Sequence, residues 1–439
     1  MTENQITASS LFQYSILAMP VAFAGFPLYV LAPDFYTTEY GVSLTTLGVV
    51  LLGLRLFDAF QDPLIGTLSD RYRRHITPII VFSAIILCAS IYGLFNQLYL
   101  SPLLWFAINI GLAVTAYSIL SINLNALGAL WTKHSHQQTR IASSREIFGL
   151  LGLIIAVSLP GFLATKIPQE DVYRWFTLTL ATLMAIALLF FLKWLSKQPK
   201  NNHLNKVYFF WSIFKTLSLD SKKLLLVYLI SMIASSIPAV LVIFFIRDLI
   251  GAEEYLGLFL LLYFLSGVFF MPVWKRMSLT FGKHRSWLFS MILAVVTFIW
   301  AFTLKQGDVW QYAVVCITSG MALGGDLVFP PSILADHLHL NQSKNNASTH
   351  YALLTLVAKA SLALASTTSL PLLESMGFTP KSENSATALM GLNTAYALIP
   401  CILKCGSAFL LWRLFIYLKK GENHENNKIN NHRWSTHHA

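Results

Sequence analysis

Ionisable side chains are scarce in this sequence. Asp, Glu, Lys and Arg together make up 12% of 439 residues, while 55% are hydrophobic; an ordinary soluble domain carries about 25% charged residues. With a mean hydropathy of +0.60, that shortage excludes a water-soluble fold and leaves a polytopic membrane protein. Cysteine is equally sparse: Cys88, Cys316, Cys401 and Cys405 are scattered through apolar runs, which excludes a disulfide framework or a thiolate metal site. There is no His-Glu-x-x-His helix, Gly-x-Ser-x-Gly elbow, Walker loop or paired intramembrane nucleophile and base, so the chain is not expected to be an enzyme. The ten-residue polar and apolar alternation of a membrane barrel is missing too. The opening MTENQITASS lacks the basic n-region of a signal peptide, so the first apolar helix is expected to be retained.

What is present is length in apolar runs. A hydrocarbon core about 30 Å thick needs about 20 apolar residues per helix. About twelve such runs fit, near 11–33, 43–67, 76–96, 102–131, 143–165, 173–195, 223–247, 255–274, 287–304, 309–333, 348–372 and 387–417. The expected fold is therefore all-α with twelve transmembrane helices in two bundles. The N-terminal bundle is placed at 1–197, a linker at 198–222, the C-terminal bundle at 223–418 and a disordered, Asn- and His-rich tail at 419–439. A faint repeat supports two halves: Pro63, Arg74 and His75 recur as Pro272, Lys283 and His284 at a constant offset of 209. The same offset carries Asp58 to Gly267 and Asp62 to Met271, so only the first half has the acids.

The net charge of +11 reads as topology rather than as a nucleic-acid footprint. Basic residues gather in alternate loops, at Arg71, Arg73 and Arg74, at Lys133 and Arg140, from Lys193 to Lys223, at Lys275, Arg276, Lys283 and Arg285, at Lys344 and in the tail. The positive-inside rule makes those loops, and both termini, cytoplasmic. The lipid bilayer and a small-molecule substrate are the expected partners, nucleic acid is not, and a monomer in the cytoplasmic (inner) membrane is expected.

Against that apolar background Arg55, Asp58 and Asp62 stand mid-run, with Gln61 between the acids. Each charge near the bilayer centre costs roughly 2.5 to 3.5 kcal/mol on insertion scales, so intramembrane charges mark function by default. Steps of i+3 and i+4 place the three on one helix face, which must look inward. Two carboxylates a turn apart repel each other, and a bound cation or shared proton relieves that repulsion. Arg55 would neutralise the pair once the cation has left. A purely structural Arg–carboxylate cluster is the alternative. Asp62-Pro63 is expected to break helix hydrogen bonding locally.

The stretch LRLFDAFQDPLIGTLSDRYRRHITP resembles the second helix and following loop of the glycoside–pentoside–hexuronide cation symporters, the melibiose-permease-like branch of the major facilitator superfamily. Arg55, Asp58, Asp62, Pro63 and Gly66 fit the pattern Arg-x-x-Asp-x-x-x-Asp-Pro-x-x-Gly. Tyr117, TRIASSREIFG with Arg140 and Arg145, ILAD with Asp336 and VAKASLALAS with Lys359 extend the likeness over most of the chain. The resemblance implies a secondary active transporter that couples Na+ or H+ to a solute by alternating access, with no other cofactor. It implies a cation site of Asp58 and Asp62, with an amide or hydroxyl nearby, for which Gln61 and Ser121 are the candidates. It also implies a cytoplasmic gate at Asp70, Arg71 and Arg74, with Arg73 in the same loop, for which simple positive-inside anchoring is the alternative.

The substrate side departs from the sugar porters. Where melibiose-type members hold the sugar with acids in the first and fourth helices, this chain has Ala22 and Ser121. Lys359, Arg145, Tyr117, Asn125 and Tyr29 remain as candidate substrate contacts, a set that favours an anionic or polar neutral solute. Lys359 has a rival reading as an ion pair with Asp326 or a helix-two acid, and Arg145 as a partner of Glu146. Asn123 and Asn125 point to different faces, so one of them is expected to bond between helices. A lysophospholipid or other amphiphilic anion is the alternative cargo, because distant animal relatives carry such molecules. A membrane-embedded enzyme or receptor is the remote one.

Overall fold

The computed structural model describes residues 6–26, 28, 31–97, 99–199, 217–341, 343–380, 382 and 384–417. The 419–439 tail and most of the 198–222 linker lie outside the described residues. Among the described residues the regular structure is entirely helical, as continuous apolar runs require in a medium that offers the backbone no hydrogen bonds. In chain order the helices are α1 (Ala8–Ser15), α2 (Ala18–Phe26), α3 (Ala32–Tyr40), α4 (Leu44–Arg71), α5 (Ile76–Asn96), α6 (Pro102–Trp131), α7 (Ser135–Ala164) and α8 (Gln169–Leu195). There follow α9 (Leu219–Phe244), α10 (Leu256–Phe281), α11 (Lys283–Phe302), α12 (Val309–Leu340), α13 (Ala347–Ser375), α14 (Ala386–Asn393) and α15 (Ile399–Leu411). Eleven described helical segments are long and apolar enough to cross a membrane. Helix α4, 28 residues long with the charged triad in its middle, is a further one of spanning length.

Helix α4 starts where the Ser43 hydroxyl accepts the Thr46 N–H at 3.2 Å, the usual side-chain cap for an orphan amide. It runs on unbroken through Pro63, so the expected interruption is limited to the hydrogen bond that proline cannot donate.

Packing divides the chain into two units. The first holds Met1–Ser218 with Gly267–Met271 and Leu334–Ala360, and the second holds Leu219–Ser266, Pro272–Ile333 and Ser361–Ala439. Unlike a division at the linker alone, this one gives the end of α12 and the first half of α13 to the first unit. Polar bonds and close approach explain that assignment. A Cβ on Gly66 of α4 would stand 2.7 Å from Ala352 Cβ and 2.8 Å from Thr349 Cα, so only glycine lets α4 meet α13 there. Gly152 does the same for α7 against α2, where a Cβ would meet the Met19 carbonyl oxygen at 2.0 Å. Small residues are how membrane helices approach without a hydrophobic driving force.

The second unit is knit around a buried ion pair of Asp326 on α12 with Lys404 on α15. Ser231 and Ser235 of α9 donate to the carboxylate at 3.3 and 3.2 Å and accept from the ammonium at 2.8 and 3.0 Å. Trp287 Nε1 of α11 adds a bond to Asp326 at 2.9 Å. Asp326 is therefore committed within its own unit rather than to Lys359. Removing one hydroxyl from such a charged network should cost about 1.5 to 3 kcal/mol. Ser231→Ala should lower the melting temperature of the purified protein by several degrees while its helical circular dichroism stays intact, and an unchanged melting curve would contradict this account.

Candidate functional site

The acids of α4 face inward within the first unit: Asp58 is 2% exposed and Asp62 is 0%. Helix α13 brings Lys359 to them, its Nζ 2.7 Å from Asp58 Oδ2 and 2.7 Å from Asp62 Oδ2. One ammonium thus bridges both carboxylates. It also donates to the Ser118 hydroxyl of α6 at 2.9 Å, and Ser118 donates in turn to Asp58 Oδ1 at 3.1 Å. Gln61 Nε2 donates to the same Asp58 oxygen at 2.9 Å, while Gln61 Oε1 accepts from Thr115 at 2.9 Å.

The two acids differ in company. Asp58 accepts from an amide, a hydroxyl and the lysine, whereas Asp62 has its ion pair with the lysine and Ser118 nearby. Asp62 Oδ1 is buried with no hydrogen-bond donor among the described residues. A buried carboxylate oxygen left bare is costly, and hard oxygen ligands of this kind suit a small cation or a proton.

Sequence reasoning put a hydroxyl beside the acids but chose the wrong one. Ser118 reaches Asp58; Ser121, one turn further on, offers its carbonyl to Asn125 Nδ2 at 2.8 Å. A second signal for Ser118 was available in Thr115, because hydroxyls one turn apart on α6 mirror the acids one turn apart on α4. The charge partner of the acids is Lys359, assigned above to the substrate. The Arg55 side chain and Tyr29 lie outside the described residues.

Arg145 of α7 is engaged as well. Its Nε and Nη2 donate to Glu146 Oε1 at 3.1 and 2.5 Å, which is the alternative weighed in the sequence. Tyr117 of α6 lies against α2, its ring 3.5 Å from where a Gly25 Cβ would be, and feels the charges of Glu146, Asp58 and Asp62. Asn123 is the interhelical residue, donating to Ser69 of α4 at 2.9 Å. Asn125 is half-buried.

At the end of α4 the Asp70 carboxylate caps α13. It accepts from the Ser348 and Thr349 N–H groups at 3.0 and 2.9 Å and from the Thr349 hydroxyl at 2.7 Å. A negative charge at a helix N-terminus satisfies orphan amides and the helix dipole together. The cation that pairs with Asp70 is Arg73, at 2.6 Å. Arg71 and Arg74, placed at the gate from sequence, are exposed. Ser135, at the start of α7, donates to Asp336 at 2.8 Å, and His339 is 2.7 Å from the Ala129 carbonyl, so the end of α12 is tied to the α6–α7 junction.

Buried acids held by one lysine on a bundle of apolar helices fit a carrier, and the comparisons decide which. Residues 11–417 match the family described as MFS/sugar transport protein. The chain belongs to that family. It is similar to an uncharacterised symporter, YnaJ, of Bacillus subtilis strain 168, at 22% identity over 84% of this chain and 83% of that protein. It is also similar to a glucuronide carrier protein homolog of Escherichia coli K12, at 23% identity over 93% of each. Among solved structures, the MFS proton:xylose symporter XylE bound to 6-bromo-6-deoxy-D-glucose superposes with a TM-score of 0.67 at 12% identity, covering 93% of this chain and 96% of that one. At that identity the likeness speaks for the fold. This MFS/sugar transport chain is an integral membrane protein and a secondary transporter, not an enzyme.

Proposed function

We propose that the chain couples Na+ or H+ to the uptake of a small, sugar-sized anionic solute. The observation that carries this reading is the Lys359 ammonium, 2.7 Å from each of two buried carboxylates. Taken by themselves, Asp58, Asp62 and Lys359 sum to one negative charge, so one monovalent cation makes the cluster neutral. Such a cation competes with the ammonium for the same oxygens and loosens its hold. Lys359 then has a positive charge with no full partner, which an anionic substrate supplies. By linkage the substrate raises the affinity for the cation by the same factor.

The likeness to a glucuronide carrier homolog supports a sugar acid over an amphiphile. Alternating access would carry the loaded site from one face of the membrane to the other. Alternate loops rich in Lys and Arg support a cytoplasmic-membrane location with both termini inside.

The test is a thermal-shift matrix on the purified full chain, with methyl β-D-glucuronide added with and without Na+ and at two pH values. A ligand at a hundred times its Kd stabilises by about 2.7 kcal/mol, a rise of several degrees. Stabilisation by the glucuronide should require Na+ or the lower pH. An equal shift under all four conditions would remove the coupling, and no shift under any would remove the substrate class.

A further inference from the structure

Glu146 has no part in the site described so far, yet its carboxylate holds one of that site's two candidate cations. Its partner Arg145 has a side chain 7% exposed, against 22% for Glu146, and both of the arginine's bonding nitrogens converge on one oxygen, Oε1. A guanidinium is a planar fork shaped for carboxylates, and here the fork is filled from within the chain.

Among the described residues Glu146 is the acid that pairs with Arg145, while the nearby Tyr14 hydroxyl of α1 donates to the Leu124 carbonyl at 2.7 Å. Both candidate cations for an anionic substrate are thus occupied by carboxylates of the chain, Arg145 by Glu146 and Lys359 by Asp58 and Asp62.

We infer that Glu146 is a built-in competitor for the anionic group of the transported solute, holding Arg145 until the substrate's own acid displaces it. The inference rests on the anionic-substrate reading above and deepens it. Exchange of one carboxylate for another keeps a buried guanidinium paired throughout, which avoids the large cost of an uncompensated buried charge. It also gives specificity: a neutral sugar has nothing with which to displace Glu146, so the pair acts against neutral solutes while admitting charged ones.

The experiment compares the full-length wild type with Glu146→Gln and Glu146→Asp by titration calorimetry in saturating Na+. Methyl β-D-glucuronide and methyl β-D-glucoside are the probes, two sugars that differ in the carboxylate. Glu146→Gln should bind the glucuronide about tenfold tighter than wild type, within the usual range of coupling between sites. The glucoside should be unaffected, and Glu146→Asp, which retains the competitor, should stay near wild type. A second readout needs no sugar: phenylglyoxal adducts at Arg145, counted by mass spectrometry, should form several-fold faster in Glu146→Gln. Weaker glucuronide binding in Glu146→Gln, equal changes for both sugars, or an unchanged adduct rate would each overturn the inference. If wild type binds neither sugar, the substrate class is wrong, and the adduct rate alone then decides the role of Glu146.

Discussion

Asp62→Asn is expected to abolish accumulation of substrate against its gradient while leaving exchange across the membrane in place. In wild type, one cation carried with one anionic solute moves no net charge, so the cation concentration gradient sets accumulation, and a tenfold gradient, about 1.4 kcal/mol, supports roughly tenfold accumulation. In the variant the cluster loses its negative charge, because Asp58 alone balances Lys359, and a cation gains nothing by entering. The accumulation ratio in proteoliposomes should therefore fall to unity, with substrate counterflow retained. Asp58→Asn should lose accumulation too, at greater cost to the fold. Asp58 accepts from Gln61, Ser118 and Lys359, whereas Asp62 has the ion pair with Lys359 and an unsatisfied Oδ1, so Asp62→Asn should melt within a few degrees of wild type. Uphill transport by both variants at wild-type level would take the coupling ion away from this pair.

How far the site was legible beforehand depends on what kind of signal each residue gives. Asp58 and Asp62 announce themselves because a charge in an apolar run is expensive wherever it points, and i+4 spacing puts both on one face whatever surrounds them. Lys359 was visible for the same reason, but its partner was not: Asp326 and the helix-two acids were equally open, since long-range pairing is settled by packing. Ser118 and Ser121 show the limit at finer grain. A serine in a membrane helix costs little, so composition cannot rank two hydroxyls three residues apart, and only the rotation of α6 against α4 chooses between them. Lys404, an intramembrane lysine 45 residues after Lys359, carries the same warning, but only packing pairs it with Asp326.

The fold divides in the same way. Helix number and polar linkers follow from apolar run length, which the bilayer enforces on every span alike. The membership of Leu334–Ala360 in the first unit does not follow, because it rests on a few close approaches and charge caps. Gly66 is the instructive case. In sequence it is one member of a family-like pattern, and its physical purpose emerges only when Ala352 and Thr349 are seen where a side chain would be.

Asp70→Asn should loosen the hold of the first unit on α13 more than any other single change near the ends of the helices. The carboxylate accepts two backbone N–H groups and a hydroxyl of α13 and pairs with Arg73, so its charge serves the helix terminus and the arginine together. An amide keeps the shape but loses the charge, and it cannot accept at both oxygens. Charge-assisted bonds contribute about 1.5 to 3 kcal/mol each; losing a net 3 kcal/mol shifts a two-state equilibrium by roughly 150-fold. Hydrogen exchange at the Ser348 and Thr349 amides should accelerate by about that factor, provided the two amides exchange through release of the α13 terminus. Arg71→Gln and Arg74→Gln, whose side chains are exposed, should leave that exchange unchanged. Transport should change in rate before it changes in affinity, because a latch sets how fast arrangements interconvert. Wild-type exchange at both amides in Asp70→Asn would show that α13 is held by Gly66 packing alone, and the electrostatic latch would have to be abandoned.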